Sequence, residues 1–231
     1  MTETQEARAR RRAESRWPAS AAILVAVVLN VVGASPETSV VRLVAAGLTL
    51  ALLVPLFVVN PHRLDTETEW SRGISISLAI VLAVANQVNV VAVVIDLVDG
   101  RADGPALLLT ALQVWVTNVV AYALLFWELD RGGPVARGTL ERAELPPADF
   151  AFPQDTYGDT AAEVAATSSE RADWRPGFVD YLAVSTTNTM AFSPTDTMPL
   201  SARMKLLMIA EAFTGFVLLA LVISRAVNIL N

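Results

Sequence analysis

Hydrophobic residues in this chain come in blocks too long for strands and too unbroken for one face of a surface helix. Residues 17–34 carry no charge, and residues 40–59 carry only Arg42, near the start of the block. Residues 73–95 form an uncharged run of 23, and residues 106–127 one of 22. In the last block, residues 203–227, the stretch 206–224 is apolar apart from Glu211, Thr214 and Ser224. About 20 apolar helical residues cross a ~30 Å hydrocarbon layer. The pattern therefore predicts an all-α membrane protein with five transmembrane helices. The first block is the shortest, and Val32-Gly33-Ala34 before Ser35 resembles a signal-peptide cleavage site. Because a second apolar block follows within a few residues, a helical hairpin explains the pair better.

The polar segments divide the chain further. Residues 1–16 form a basic tail with five arginines, residues 17–129 hold the first four spans, and residues 130–175 read as a polar extramembrane linker. The linker contains Gly132-Gly133-Pro134 and Pro146-Pro147 and has no apolar periodicity, so it is expected to be partly irregular or disordered. Residues 176–231 hold a short semi-polar segment and the last span.

Composition agrees with this division. Of 231 residues, 54% are hydrophobic and 17% charged, and mean hydropathy is +0.49. Soluble domains average about 25% charged residues. One lysine against sixteen arginines suggests a GC-rich bacterial genome, and with the apolar spans a bacterial plasma (inner) membrane is the expected location. With the N-terminus in the cytoplasm, 14 of the 17 basic residues fall on inside segments, leaving only Arg42, Arg101 and Arg225 outside. The positive-inside rule then favours N-in, C-out.

Enzymatic chemistry finds little to use. Cysteine is absent, and the one histidine, His62, lies in an Asn60-Pro61 turn as a solvated or interfacial residue. No metal-ligand cluster, serine–histidine pair or phosphate-cradling glycine loop is visible, so neither a catalytic site, a metal nor a cofactor is expected. Nor is there a basic surface laced with aromatics that would bind nucleic acid.

The candidate chemistry lies ahead of the last span. Residues 178–193 begin hydrophobic, become rich in Ser and Thr, and meet Pro194. Pro176 and Gly177 can open a helix, which Pro194 cannot continue. A helix of about ten residues, a polar return and then a full span is the layout of a re-entrant loop; such backbone survives at membrane depth only when protein or water surrounds it.

From Tyr181 through Pro199 and into the last span, the chain resembles the pore module of potassium channels: pore helix, filter, inner helix. The resemblance places the filter aspartate on Asp196, the following proline on Pro199 and the hydroxyl-rich end of the pore helix on residues 185–189. It makes Gly215 the inner-helix hinge. The whole chain also resembles a family of bacterial integral membrane proteins, without an established activity, in which four spans and a polar linker precede a similar loop. The potassium filter is Thr-Val-Gly-Tyr-Gly; here Ser193 and Thr195 stand at the glycine positions and Pro194 between them. Residues with a Cβ are strained at positive φ, so a carbonyl ladder is not expected. The resemblance instead implies a wider, cation-selective constriction made by Thr186, Thr187, Thr189, Ser193 and Thr195, with Asp196 at its mouth.

Such a path closes only between copies, which implies a homo-oligomer, a tetramer by analogy, passing a monovalent cation across a lipid bilayer. Potassium channels enter this loop from outside, whereas the charge count puts it inside; either the module is inverted or the N-terminus is outside. Glu211 within the last span is costly in hydrocarbon unless paired. It is expected either to line the pore or to be held by Asn86, Gln87 or Asn89 of the third span, residues that serve equally well as interhelical links. A non-conducting scaffold that keeps the channel-like fold is the alternative.

Overall fold

A computed structural model describes residues 13–32, 43–44, 46–51, 53–54, 64, 68–98, 104–190 and 196–230. Three helices in it are long and apolar enough to cross a membrane, over Trp70–Asp96, Leu108–Gly132 and Ala202–Ser224, compatible with a membrane protein. They belong to α2 (Glu69–Val98), α3 (Gly104–Leu129) and α6 (Ala202–Leu230), within a few residues of the runs read from the sequence. The first expected span is α1 (Trp17–Val32), apolar but only 16 residues long and so shorter than a full crossing. Half of the second expected span, residues 40–59, lies outside the described residues; positions 43–44, 46–51 and 53–54 of it are helical. Among the described residues, three of the five expected spans are thus present as long apolar helices.

Helix α3 is the hub, packing against α1, α2 and α6. Helix α2 opens on a reciprocal cap: the Thr68 N–H donates to Ser71 Oγ at 3.0 Å and the Ser71 N–H to Thr68 Oγ1 at 3.2 Å, using two of the donors that a helix start leaves free. At the far end of the bundle Val90, Val93, Ala111, Val114 and Leu218 form a small core. Since these lie late in α2, early in α3 and late in α6, α3 runs antiparallel to the other two.

The near end is where the chain turns. After Leu129, Arg131, Gly132 and Gly133 all have positive φ (50°, 81° and 92°). This reverses the backbone into a six-residue helix, α4 (Pro134–Thr139). Gly132 is needed on two counts: a Cβ there would sit 2.9 Å from Pro146 Cγ, and its φ is left-handed.

Residues 130–175, expected to be partly irregular or disordered, do alternate short helical turns with irregular segments, but they are not loose. Much of it is folded around aromatic rings. Phe150 in β1 (Phe150–Ala151) meets Phe126 of α3 with ring centroids 5.3 Å apart. Phe152 meets Trp174 at 5.6 Å and Tyr181 at 5.4 Å. Single-turn helices follow at Pro153–Thr156, Ala162–Ala165 and Ser169–Ala172. The sequence hid this because the anchors are single aromatics at irregular spacing, and no secondary-structure period links them.

After the linker come α5 (Phe178–Thr189), β2 (Met198–Pro199) and α6. Strand β2 pairs antiparallel with β1, Phe150 opposite Pro199 and Ala151 opposite Met198. The described residues are thus mainly helical, with this two-residue pairing and an isolated bridge at Ser15 beside the helices.

Candidate functional site

Helix α5 has 12 residues, about 18 Å of rise, well short of a ~30 Å crossing. It begins at the near end of the bundle. Asp180, in its first turn, accepts the Gly177 N–H at 2.8 Å. Glu14, ahead of α1, accepts from the Phe178 N–H and, at 2.9 Å, from Trp127 Nε1. Burial pushes the Glu14 carboxyl above its ordinary value, with the Arg137 charge and these donors pulling it back down. Tyr181, fully buried one turn into α5, donates its hydroxyl to Asp130 Oδ2. Asp130 has no exposed surface, and its Oδ1 also takes the Asp149 N–H at 2.6 Å and the Phe150 N–H at 3.3 Å. The Arg137 guanidinium covers the Tyr181 ring, 5.0 Å from its centroid, and donates to the carbonyls of Trp127 and Asp130.

From this anchor α5 runs inward between α3 and α6. Its inner face is Phe178, Tyr181, Val184, Ser185 and Thr189, a helical spacing. Ser185 donates to the Val119 carbonyl at 2.8 Å and to Glu211. Asn188 donates to Glu211 Oε2 at 2.7 Å and to the Met208 carbonyl at 2.9 Å, and Thr189 to Glu211 Oε1 at 3.0 Å. Glu211 is 0% exposed, nine residues into α6 and so about 14 Å from its start. It therefore meets three donors, all from α5. A carboxylate in a low-dielectric interior needs such satisfaction.

Thr189 reaches further still, against Gly215. A Cβ at Gly215 would lie 2.4 Å from the Thr189 carbonyl oxygen and 2.7 Å from its Cγ2. Gly215, expected as a hinge, stands inside an uninterrupted helix; its missing side chain admits the end of α5.

The chain then comes back. Met198 and Pro199 lie beside β1 at the near end, the Leu200 N–H bonds the Asp149 carbonyl at 2.7 Å, and Arg203 pairs with the Asp149 carboxylate and bonds the Leu129 carbonyl at 3.1 Å. Eight residues lie between Thr189 and Met198, nine Cα steps and so enough for roughly 30 Å of extended chain, which covers the return. Entry and exit lie at one end of the bundle.

The expected filter residues are placed as follows. Thr186 back-bonds to the Leu182 carbonyl at 2.7 Å, and Thr187 to those of Ala183 and Val184 at 2.9 and 3.0 Å, a local pattern that spends each hydroxyl hydrogen on the helix itself and leaves the oxygen lone pairs as acceptors. Thr189 is spent on Glu211. Ser193 and Thr195 fall outside the described residues, and Asp196 is exposed on the return.

Nor do the third-span amides hold Glu211. Asn86 Nδ2 donates to Asn118 Oδ1 at 3.0 Å, Asn89 Nδ2 to Asn30 Oδ1 at 3.0 Å, and Gln87 joins Tyr122 (3.4 Å) to Thr214 (3.2 Å). They tie α2 to α1, α3 and α6. The reason is azimuthal: the Glu211 face of α6 is turned toward α5.

Sequence reading missed Asp130, Tyr181, Arg137 and the Asp149–Arg203 pair. Only Asp130 left a signal, a carboxylate beside a Gly-Gly-Pro break at the end of an apolar run. Among the described residues no cluster of three or more His, Cys, Asp or Glu side chains could hold a metal. No family model, no curated protein and no solved structure matches the chain.

Proposed function

We propose that this is a channel-like integral membrane protein in which α5 is the pore-type helix of a re-entrant loop and α6 the inner helix beside it. The observation that carries the reading is the path of the chain: in at the near end, inward to Gly215, and back to β1 at the same end. A surface loop has no reason to drive a 12-residue helix that deep or to give it every donor that the described residues bring to a buried carboxylate.

In this reading α1 and residues 40–59 complete a count of five spans. The N-terminus and the linker share the cytoplasmic side of a bacterial inner membrane, because Glu14 binds Trp127 and Phe178 at the end from which α5 starts and the basic residues cluster on that side. The module is then inverted relative to a potassium channel. Exposed apolar side chains on α6, among them Leu206, Ile209, Phe213 and Phe216, suit lipid or neighbouring copies better than water. Several copies around an axis would bring their loops together and pass a monovalent cation, with Asp196 contributing charge at the mouth.

One observation favours a second reading, a non-conducting scaffold: Ser185 and Thr189, at the hydroxyl-rich end of α5, are buried and bonded to Glu211 within the subunit. Cation flux into liposomes carrying the purified chain separates the two. The channel reading expects flux above empty vesicles, reduced several-fold in Asp196→Asn. Absence of flux from a folded, cross-linkable oligomer, in either orientation, would sink conduction and leave the scaffold.

A further inference from the structure

Arg137, only 2% exposed, uses one side of its guanidinium. Nη1 donates to the carbonyls of Trp127 and Asp130, while Nε and Nη2, the other edge of the fork, are buried with no hydrogen-bond partner among the described residues. Leaving charged donors unpaired in the interior is costly. Two carboxylates lie near this edge but not on it. Glu14 and Asp180, both partly buried, converge on Gly177, where a Cβ would sit 3.1 Å from Glu14 Oε1 and 3.9 Å from Asp180 Oδ2. Glu14 holds the Phe178 N–H and Asp180 the Gly177 N–H, so the pair seats the first turn of α5. Among the described residues neither forms an ion pair with Arg137. The surroundings are otherwise neutral: α3 presents the Trp127 indole to Glu14, and residue 64 gives only its backbone N–H, 3.1 Å from the Glu14 carbonyl oxygen. Arg137 of α4 is thus the one cation whose charge acts on both carboxylates, and Asp180 acts on Glu14 as a like charge.

We infer that Glu14 and Asp180 bind a proton as the sensing pair of a pH switch at the entry to α5. With the proton bound, the carboxyls keep their bonds to the start of α5 and the Arg137 edge stays free, which is the arrangement described above. When the proton leaves, two like charges stand beside one unpaired guanidinium, and attraction draws its free edge onto them, loosening the N–H bonds that seat α5. Burial supports this by pushing both carboxyls above their ordinary values, with Arg137 and the backbone donors pulling them partly back. The neutral form then contributes stability that is complete below the ordinary carboxylate range and is lost as pH rises through the folded values. The inference does not depend on conduction, so a protein that passes no ions can still pass its test.

The experiment is thermal unfolding of the full chain in detergent from about pH 4 to pH 8, a range that brackets carboxyl titration. The native melting temperature is expected to fall by a few degrees as pH rises, and those of Glu14→Gln and Asp180→Asn to fall less, each lacking one titrating group. Arg137→Gln is expected to fall more steeply than the native chain, because the ionised pair then has no cation to meet; a purely structural Arg137 would lower the curve equally at every pH. Should Arg137→Gln fail to fold, infrared difference spectra decide the matter: the carboxylic acid C=O band that the native chain loses on going from acid to neutral pH should shrink in Glu14→Gln. Glu14→Gln running parallel to the native chain, Arg137→Gln running parallel to it, or an undiminished acid band in Glu14→Gln would each overturn the switch.

Discussion

Gly215→Ala is expected to destabilise the protein, although alanine is the better helix former. In a helix interior the exchange gains about 1 kcal/mol of propensity. Against this, the new Cβ would meet the Thr189 carbonyl oxygen at 2.4 Å, a backbone atom that cannot swing aside. Overpacking of this kind costs about 1–3 kcal/mol, and the larger valine should cost more. The displaced end of α5 carries Thr189 and Asn188, two of the three donors to Glu211, so the damage spreads to the carboxylate. Thermal unfolding in detergent checks this: Gly215→Ala should melt lower than the native chain and Gly215→Val lower still. Glu211→Gln combined with Gly215→Ala should cost less than the sum of the two, because both loosen one junction. A higher melting temperature in Gly215→Ala would mean that propensity decides and that the close approach is absent.

The second large effect is expected at Asp130. Asp130→Ala leaves three buried donors without an acceptor, the N–H groups of Asp149 and Phe150 and the Tyr181 hydroxyl. At about 1–3 kcal/mol each, the loss exceeds 3 kcal/mol and falls where the linker, α3 and α5 meet. Glu211→Ala should be milder despite a similar bond count, since Ser185 keeps the Val119 carbonyl and Asn188 that of Met208. Asp130→Asn retains one acceptor oxygen for the two backbone donors, and the Tyr181 hydroxyl can only turn to accept, so it should lose much less than alanine. Limited trypsin digestion reports the result: Asp130→Ala should open Arg137 and Arg142 to cleavage under conditions where the native chain and Asp130→Asn resist. Equal protection in all three would show that the aromatic contacts alone hold the linker.

These two positions mark what the sequence could and could not tell. The third, fourth and last apolar runs were legible because α2, α3 and α6 depend on length and hydropathy alone. The start of α5 was legible from Pro176-Gly177, since that signal is local. Glu211 was legible as a group that needs partners, but its partners were not, because hydropathy does not say which neighbour faces which side of α6. That Gly215 admits the end of α5 was not legible for the same reason: a glycine in a helix reads alike whether it bends the helix or admits a neighbour. Phe150, Phe152, Trp174 and Tyr181 sit far apart in sequence, and only the tertiary fold shows that they share one cluster with the Asp130 anchor.

All of this depends on residues 178–199 going into the bundle and coming back without crossing it. Because the chain has no cysteine, single-cysteine variants at Asp159, Met198 and Asn231 can be labelled cleanly with a membrane-impermeant maleimide on intact cells. Asp159→Cys and Met198→Cys should react only after permeabilisation, and Asn231→Cys before it. Labelling of Asp159→Cys and Met198→Cys from opposite faces would contradict the account, since the segment between them would then span the bilayer.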